Sequence, residues 1–454
     1  MINFLLTPLY TNIIVPDDYA VYILIYSYVA IVQFFFLLGI DSAFLRFYPD
    51  KSEDKKTIWG TTLLTALTIP IVAGGILWLL REQVGFIVTG STDYTLFISY
   101  TVGFLVFDSL TIITLGKFRA EEKALNYSAI KLFNVGLTVA LNIILVYFYE
   151  WGIEGIFLAN LIASFFVFLT TVPILIKNFT LAFSFEKLKE MMNYGLPYIP
   201  SQIAVVLMDT VDRYFLLYLR DETEVGIYGA VYKYGLLASI FVIAFKRSWQ
   251  PFVISRYQQE NSGRMFAEIF TFFALFLAIL FLFVLYFVED LVKVQIPFTN
   301  GYLLGKQYWE GVGIIPIVLL GYVCYGIYSY WIAGIYITKK SKVFAWLLLF
   351  ALLVNVIANY FLIPIYGYFG AAWATLLSYL IQPIIIYFAV QRLYPIPYKM
   401  KEFWKIVAFT LIFSIPNLVY ELGLWEKVAC CFGGIGVMLF YFMRGRDLKR
   451  LLKR

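Results

Sequence analysis

The 454-residue sequence contains no histidine. That absence excludes Ser-His-Asp and Cys-His catalysis, His-ligated zinc and acyl transfer driven by a histidine base. Cysteine is scarce as well. Cys324, Cys430 and Cys431 all fall in apolar runs, adjacent cysteines on a helix point apart, and neither a disulfide framework nor a CxxC motif can be built from them. Charge is the third shortage: 14% of residues are charged, against about 25% in an ordinary soluble domain. What fills the space is apolar. Hydrophobic residues make up 62% of the chain and aromatics 20%. A soluble chain of this length would form two or three domains, and those could not hide so much apolar surface from water. A bilayer removes the difficulty by acting as an apolar solvent for the outside of the protein, so the composition predicts an all-α polytopic membrane protein.

A spanning helix needs about 20 predominantly apolar residues. With Pro, Gly and charge clusters as punctuation, the chain divides into about fourteen expected transmembrane helices. They are 2–15, 19–40, 57–80, 94–115, 128–149, 154–176, 194–219, 226–245, 265–288, 312–338, 343–363, 370–390, 405–421 and 427–443. The longest connection, 289–311, leaves no room for a soluble catalytic or ATP-binding domain.

Loop charges set the expected orientation. With the N-terminus inside, the cytoplasmic loops hold Arg46, Lys51, Lys55 and Lys56; Lys117, Arg119, Lys123 and Lys131; Lys177, Lys187 and Lys189; Lys246, Arg247, Arg256 and Arg264; Lys339, Lys340 and Lys342; and Arg392, Lys399, Lys401 and Lys405. The tail adds Arg444, Arg446, Lys449, Arg450, Lys453 and Arg454, for about 28 of the 35 basic residues. Outside loops hold Arg81, Arg220, Lys293, Lys306 and Lys427. The positive-inside rule therefore predicts both termini in the cytoplasm. The net charge of +6 reads as orientation and attraction to anionic lipid, not as nucleic-acid binding.

An internal repeat is also legible. The acidic turn Pro16-Asp17-Asp18 leads to Tyr22, Tyr26 and Tyr28, and Asp221-Glu222-Thr223-Glu224 leads to Tyr228, Tyr232 and Tyr234. Gly152, Gly155, Ala159 and Leu161 match Gly367, Gly370, Ala374 and Leu376 at a similar offset. Two matches of this kind predict a duplicated six-helix unit: an N-lobe at 1–185, a C-lobe at 186–395, and two appended helices with a basic tail at 396–454. Repeats of this parallel type place substrate at their interface. In this alignment Met1 matches Leu207, inside helix 7, so the first helix is short and its native start is expected upstream.

An ionisable group at the bilayer centre costs about 2.5–3.5 kcal/mol even on the mild insertion scale. Five lie well inside expected spans: Asp108, Asp209, Asp212, Arg213 and Lys233. Together, unpaired, they would cost roughly 12–17 kcal/mol, so they must be paired or line water. Asp209, Asp212 and Arg213 are spaced i, i+3 and i+4, which sets Asp209 beside both others. Arg213 and Lys233 sit at similar depth on consecutive antiparallel helices. This pattern fits an anion or phosphate site with carboxylates that take a proton or sodium ion; a structural ion pair, with Lys233 snorkelling, is the competing reading. Asp108 is alone on its helix and is a further ion-coupling candidate or a structural aspartate. Arg46, Lys246 and Arg247 stand at equivalent ends of the two lobes and can receive an anionic headgroup, or simply encode topology. The tyrosines at 22, 26, 28, 228, 232 and 234 serve either as sugar-stacking platforms or as belt and packing residues. No metal site, catalytic residue or cofactor is expected. Gly301 to Gln307 falls short of a P-loop by one residue and lacks the Ser/Thr, and the sequons at Asn126 and Asn178 are predicted cytoplasmic.

The runs Gly39 to Tyr48, Gly195 to Ser201, Asp212 to Leu216, Val225 to Tyr228, Trp249 to Phe252 and Tyr366 to Ala374 carry a resemblance. In this order, across nearly the whole chain, they resemble the polysaccharide (O-antigen type) flippases of the multidrug/oligosaccharidyl-lipid/polysaccharide exporter superfamily. The short, uncharged first helix departs from relatives that flip lipid II and have basic residues there. The resemblance implies a bacterial or archaeal cytoplasmic-membrane flippase for undecaprenyl-diphosphate-linked oligosaccharides, working by alternating access and coupled to protons, sodium or the membrane potential. It implies membrane lipids, the lipid-linked substrate and polysaccharide polymerase machinery as partners. A multidrug antiporter of the same superfamily is the nearest rival. A membrane polymerase or ligase is a more distant one, because the outer loops are short.

Overall fold

The computed structural model describes residues 2–297, 301–338 and 341–443. Lys339, Lys340 and the tail cations Arg444, Arg446, Lys449, Arg450, Lys453 and Arg454 lie outside the described residues. Among the described residues, twenty α-helices follow one another: α1 (Ile2–Leu5), α2 (Thr7–Ile13), α3 (Pro16–Leu37), α4 (Ile40–Phe47), α5 (Lys55–Leu79), α6 (Arg81–Thr89), α7 (Thr95–Ala120), α8 (Ala124–Asn142), α9 (Gly152–Lys177) and α10 (Phe185–Gly195). The series continues with α11 (Ile199–Leu219), α12 (Glu222–Gly235), α13 (Leu237–Arg256), α14 (Ser262–Val292), α15 (Ile315–Trp331), α16 (Ala333–Thr338), α17 (Ser341–Tyr366), α18 (Tyr368–Leu393), α19 (Met400–Val419) and α20 (Leu424–Met443). A π-helical turn, Ile143–Phe148, prolongs α8.

Among the described residues, twelve helices are long and apolar enough to cross a membrane. Two of the fourteen expected spans are not among them, each for a physical reason. Span 2–15 resolves into α1 and the seven-residue α2, too short for a bilayer core. Span 194–219 becomes α11, which is 21 residues long but carries Asp209, Asp212 and Arg213. The expected span 226–245 breaks at Leu236, so that α12 ends at Gly235 and α13 carries the apolar run onward.

The ends of the spans follow local chemistry. Pro16 stands in the first turn of α3 with Asp17 and Asp18 beside it, where a missing N–H and negative charge both suit a helix start. Asp54 caps α5 by accepting from the amides of Lys56 and Thr57. The repeat-equivalent glycines, Gly152 as the first residue of α9 and Gly367 just before α18, have φ of 55° and 56°, a left-handed conformation that side chains resist. Large apolar residues stay outside, as the bilayer reading requires: Ile71, Ile76 and Leu79 on α5 and Leu353, Ile357 and Phe361 on α17 are all exposed.

The chain forms two compact units, Met1–Ala230 with Leu304–Tyr308, and Val231–Leu303 with Trp309–Arg454. In the first, Ile40, Phe44, Trp59, Ile113 and Met191 share one core. Gly39 (φ 72°) and Gly195 cross there backbone to backbone. A Cβ on Gly195 would lie 2.5 Å from the Gly39 carbonyl oxygen. In the second unit the core is aromatic, with Trp249 stacked on Tyr330 at 4.2 Å and Phe245 on Phe273 at 3.9 Å. The last two helices dock on α14 through Tyr286, whose hydroxyl donates to the Phe413 carbonyl at 2.7 Å, and through the Lys427–Asp290 ion pair at 2.7 Å.

Gly195→Ala forces that crossing apart. It should destabilise the protein by about 1–3 kcal/mol, read as a lower melting temperature in detergent. The Thr57 hydroxyl and the Lys56 amide hold the Asp54 carboxyl below its usual range. Its cap is therefore present above the ordinary aspartate value of about 3.9 and is lost as pH falls through the lower folded value. Melting curves across acid pH should show this loss in the parent chain and not in Asp54→Asn.

Candidate functional site

The first unit carries a polar constellation inside its apolar helices. Asp212 on α11 is fully buried. The Tyr228 hydroxyl on α12 donates to its Oδ2 at 2.5 Å, and the Arg213 amide N–H donates to Oδ1 at 2.9 Å. Arg213 turns the other way. Its Nη1 donates to Ser27 Oγ of α3 at 3.0 Å, and Tyr214 next to it donates to the Leu24 carbonyl at 3.1 Å. Consecutive residues on a helix point about 100° apart, so α11 offers its carboxylate to α12 and its guanidinium to α3. Asp209 is half-buried one turn earlier and, with Arg213, acts electrostatically on Asp212. The expected trio is therefore close in space, but the bonds of the Asp212 carboxylate to Tyr228 and of the Arg213 guanidinium to Ser27 reach other helices.

Lys233, half-buried on α12, belongs to the second unit, whereas Arg213 belongs to the first. Arg46 lies on α4 in the first unit with 59% of its side chain exposed, 3.7 Å from Asp50. In the second unit the Lys246 ammonium donates to the Tyr325 hydroxyl at 3.2 Å and Arg247 is exposed. The tyrosines that the repeat aligns are largely interior. Tyr22, Tyr228, Tyr232 and Tyr234 are buried, Tyr22 packs edge-on and tilted against Tyr10, Tyr19 and Tyr26, and the Tyr232 hydroxyl meets that of Tyr322 at 3.1 Å. Tyr26 packs on Phe104 and Phe157. Four of the six are thus packing and hydrogen-bonding residues of the interior, away from a membrane belt.

Asp108 of α7, alone on its own helix in the sequence, has company in space. Ser164 of α9 interacts with its carboxylate. It lines a cavity of about 140 Å³ with Gln33, Thr111, Lys131 and Asn134. A larger cavity of about 260 Å³, lined by Gln33, Asp41, Ser42 and Gln202, lies at the Gly39–Gly195 crossing, and Gln33 belongs to both walls. Sequence reasoning read Lys131 only as a topological charge and did not single out Gln33 or Asn134.

It also missed a neutral cluster in the second unit. Asn355 and Asn359 on α17, and Thr375, Ser378 and Gln382 on α18, are all at most 1% exposed. Asn359 Nδ2 donates to Asn355 Oδ1 at 3.0 Å, Asn355 Nδ2 to Ser378 Oγ at 3.4 Å, and Gln382 Nε2 to the Ser378 carbonyl at 3.3 Å. A search for formal charges passes over such amides. Their i, i+4 spacing inside an apolar helix is the signal that finds them.

Residues 1–258, more than half of the chain, match the family model described as polysaccharide biosynthesis protein. Among solved structures, the lipid II flippase MurJ in an inward closed conformation aligns with a TM-score of 0.79 at 17% identity, over 98% of this chain and 96% of that one. An inward-facing multidrug resistance MATE family transporter of the MOP superfamily aligns with a TM-score of 0.71 at 13% identity, over 89% of this chain and 95% of that one. The MATE transporter VcmN of Vibrio cholerae aligns with a TM-score of 0.56 at 15% identity, over 83% and 94%. At these identities the likeness is one of fold. No curated protein sequence matches the chain.

Tyr228→Phe removes the hydroxyl that donates to the buried Asp212 carboxylate. An unsatisfied buried acceptor costs about 1–3 kcal/mol. The variant should melt lower than the parent, and Asp212→Asn with Tyr228→Phe together should cost less than the two separate losses added, as a double-mutant cycle would register.

Proposed function

The chain belongs to the polysaccharide biosynthesis protein family, and from that footing we propose that it flips undecaprenyl-diphosphate-linked oligosaccharide repeat units across the cytoplasmic membrane for O-antigen, capsule or exopolysaccharide synthesis. The observation that carries the reading is a flippase-type fold, found along almost the entire length of a member of a polysaccharide biosynthesis family. Transport proceeds by alternating access between two six-helix lobes, 1–185 and 186–395, with both termini in the cytoplasm.

In this mechanism Arg213 and Lys233 hold the diphosphate. Guanidinium and ammonium groups bind phosphate oxygens by charge-assisted hydrogen bonds, and they are strongest where water is excluded. Asp209 and Asp212 compete with the diphosphate for the cations, so taking up a proton or sodium ion on a carboxylate couples to substrate release. With no histidine in the chain, any proton coupling runs through carboxylates. Arg46, Lys246 and Arg247 receive the headgroup at the cytoplasmic mouth. Asp108 is the third carboxylate available for ion coupling, with Lys131 across its cavity. The direction of transport agrees with electrostatics. Moving one charge through 100 mV is worth about 2.3 kcal/mol, so two negative charges leaving a negative interior gain up to about 4.6 kcal/mol, less any co-moving cation.

A multidrug antiporter is the second reading, favoured by the fold shared with MATE transporters. Such a protein needs an acidic cavity for cationic drugs, and the cations Arg213 and Lys233 inside the expected spans disfavour it. Proteoliposomes separate the two. The full chain should flip a fluorescent lipid-linked oligosaccharide faster with an inside-out potential of the right sign, and should leave cationic dyes where they are. Arg213→Ala and Lys233→Ala should each slow flipping by about tenfold or more, the worth of one charge-assisted hydrogen bond. Full activity in both variants would remove the role assigned to these cations; dye efflux without lipid flipping would remove the flippase reading.

A further inference from the structure

Between α9 and α10 the chain runs for seven residues, 178–184, as an irregular connector in the first unit. In the sequence it is an ordinary loop. In the structure it is pinned along its length to the start of α5. The Trp59 indole N–H donates to the Asn178 carbonyl at 2.8 Å, and the Ser184 amide donates to Thr61 Oγ1 at 3.1 Å. Between these bonds the backbone lies so close to α5 that a Cβ on Gly60 would stand 2.4 Å from the Ala182 carbonyl oxygen. Asn178 is held on both sides of its amide, by Lys117 Nζ at 2.7 Å and by the Ile174 carbonyl at 2.7 Å. A segment fixed in this way is a strap, with one side committed to the protein.

The other side is apolar. Along the strap, exposure alternates. Thr180, Ala182 and Ser184 are half-buried towards α5, while Phe179, Leu181, Phe183 and Phe185 are 54%, 75%, 46% and 73% exposed. Four large apolar side chains in a row, each pointing away from the protein, would be a costly surface in water. Their depth resolves the cost. The anchor residues Trp59 and Thr61 lie four and six residues inside α5, whose first residue is Lys55. At 1.5 Å per residue they are about 6–9 Å inward from the end of a membrane span, at the boundary between headgroups and acyl chains where an apolar face buries. Cations border the row. Lys177 and Lys189 are exposed at its two ends, and Lys55 and Lys56 are exposed at the start of α5.

We propose that residues 178–185 form a lipid-interface strap, in which Phe179, Leu181, Phe183 and Phe185 insert into the acyl boundary of an anionic leaflet and Lys177 and Lys189 engage its phosphates. The strap sets the height of the first unit in the bilayer independently of what the protein transports. It also gives α5, α7 and α9 a common anchor at one membrane surface, because Trp59, Lys117 and Asn178 come from those three elements or their ends.

The test uses the full chain reconstituted in phosphatidylglycerol-containing vesicles and in pure phosphatidylcholine vesicles. A nitroxide is attached at Leu181→Cys or Phe183→Cys, with Thr180→Cys and Ser52→Cys as the protein-facing and solvent-facing references. The labels at 181 and 183 should be reached by oxygen and shielded from a water-soluble nickel chelate, at a depth of about 5–10 Å beneath the phosphates. Nickel accessibility at 181 and 183 equal to that at 52 would overturn the proposal. Lys177→Gln with Lys189→Gln should make the labels shallower in phosphatidylglycerol vesicles and leave them unchanged in phosphatidylcholine. An unchanged depth in both overturns the lysine assignment. Should the cysteine variants fail to fold, Leu181→Trp read against the parent chain with brominated lipid gives the same answer: added quenching supports insertion, and none overturns it.

Discussion

The whole structure answers to one constraint: its solvent is apolar. With a bilayer outside, large side chains can face outward at no cost, and every polar group turned inward must find its partner within the protein. This inverts the usual bookkeeping of a soluble domain. The twelve apolar spans need no special explanation. The informative residues are the few polar ones between them.

Those residues are partnered in recognisable ways. Asp212 receives a tyrosine hydroxyl from the next helix, Arg213 reaches a serine on α3, Asp108 interacts with Ser164 and shares a cavity with Lys131, and Asn359 bonds to Asn355 on α17, which reaches Ser378 of α18. Serine and tyrosine hydroxyls are neutral, so they lower the cost of a buried charge without cancelling it.

Close backbone approach is the second consequence of apolar surroundings. Helices with little side-chain polarity gain by packing near one another, and glycine permits it. Gly39 against Gly195 joins the ends of α3 and α10 within the first unit. Gly60, inside α5, lies equally close to the 178–184 connector that follows α9.

Composition alone determined the class of this protein. With 62% apolar residues and no histidine, an all-helical membrane protein without histidine chemistry is the consistent outcome, and eleven of the fourteen expected spans fall close to where apolar runs and Pro, Gly and charge punctuation put them. Charges inside the apolar runs were legible for the same reason: Asp108, Asp209, Asp212, Arg213 and Lys233 stand out because such residues are rare in spans. What the sequence did not contain was direction. Spacing sets Asp209, Asp212 and Arg213 near one another, yet only packing decided that Asp212 faces Tyr228 and Arg213 faces Ser27. It also decided that Lys131 shares a cavity with Asp108, and that a loop reading as soluble is a strap with four outward apolar side chains. Helical periodicity is a local property carried by each residue's neighbours in the chain. A side chain's partner across helices depends on the rotation and depth of two separate elements, which no single segment encodes.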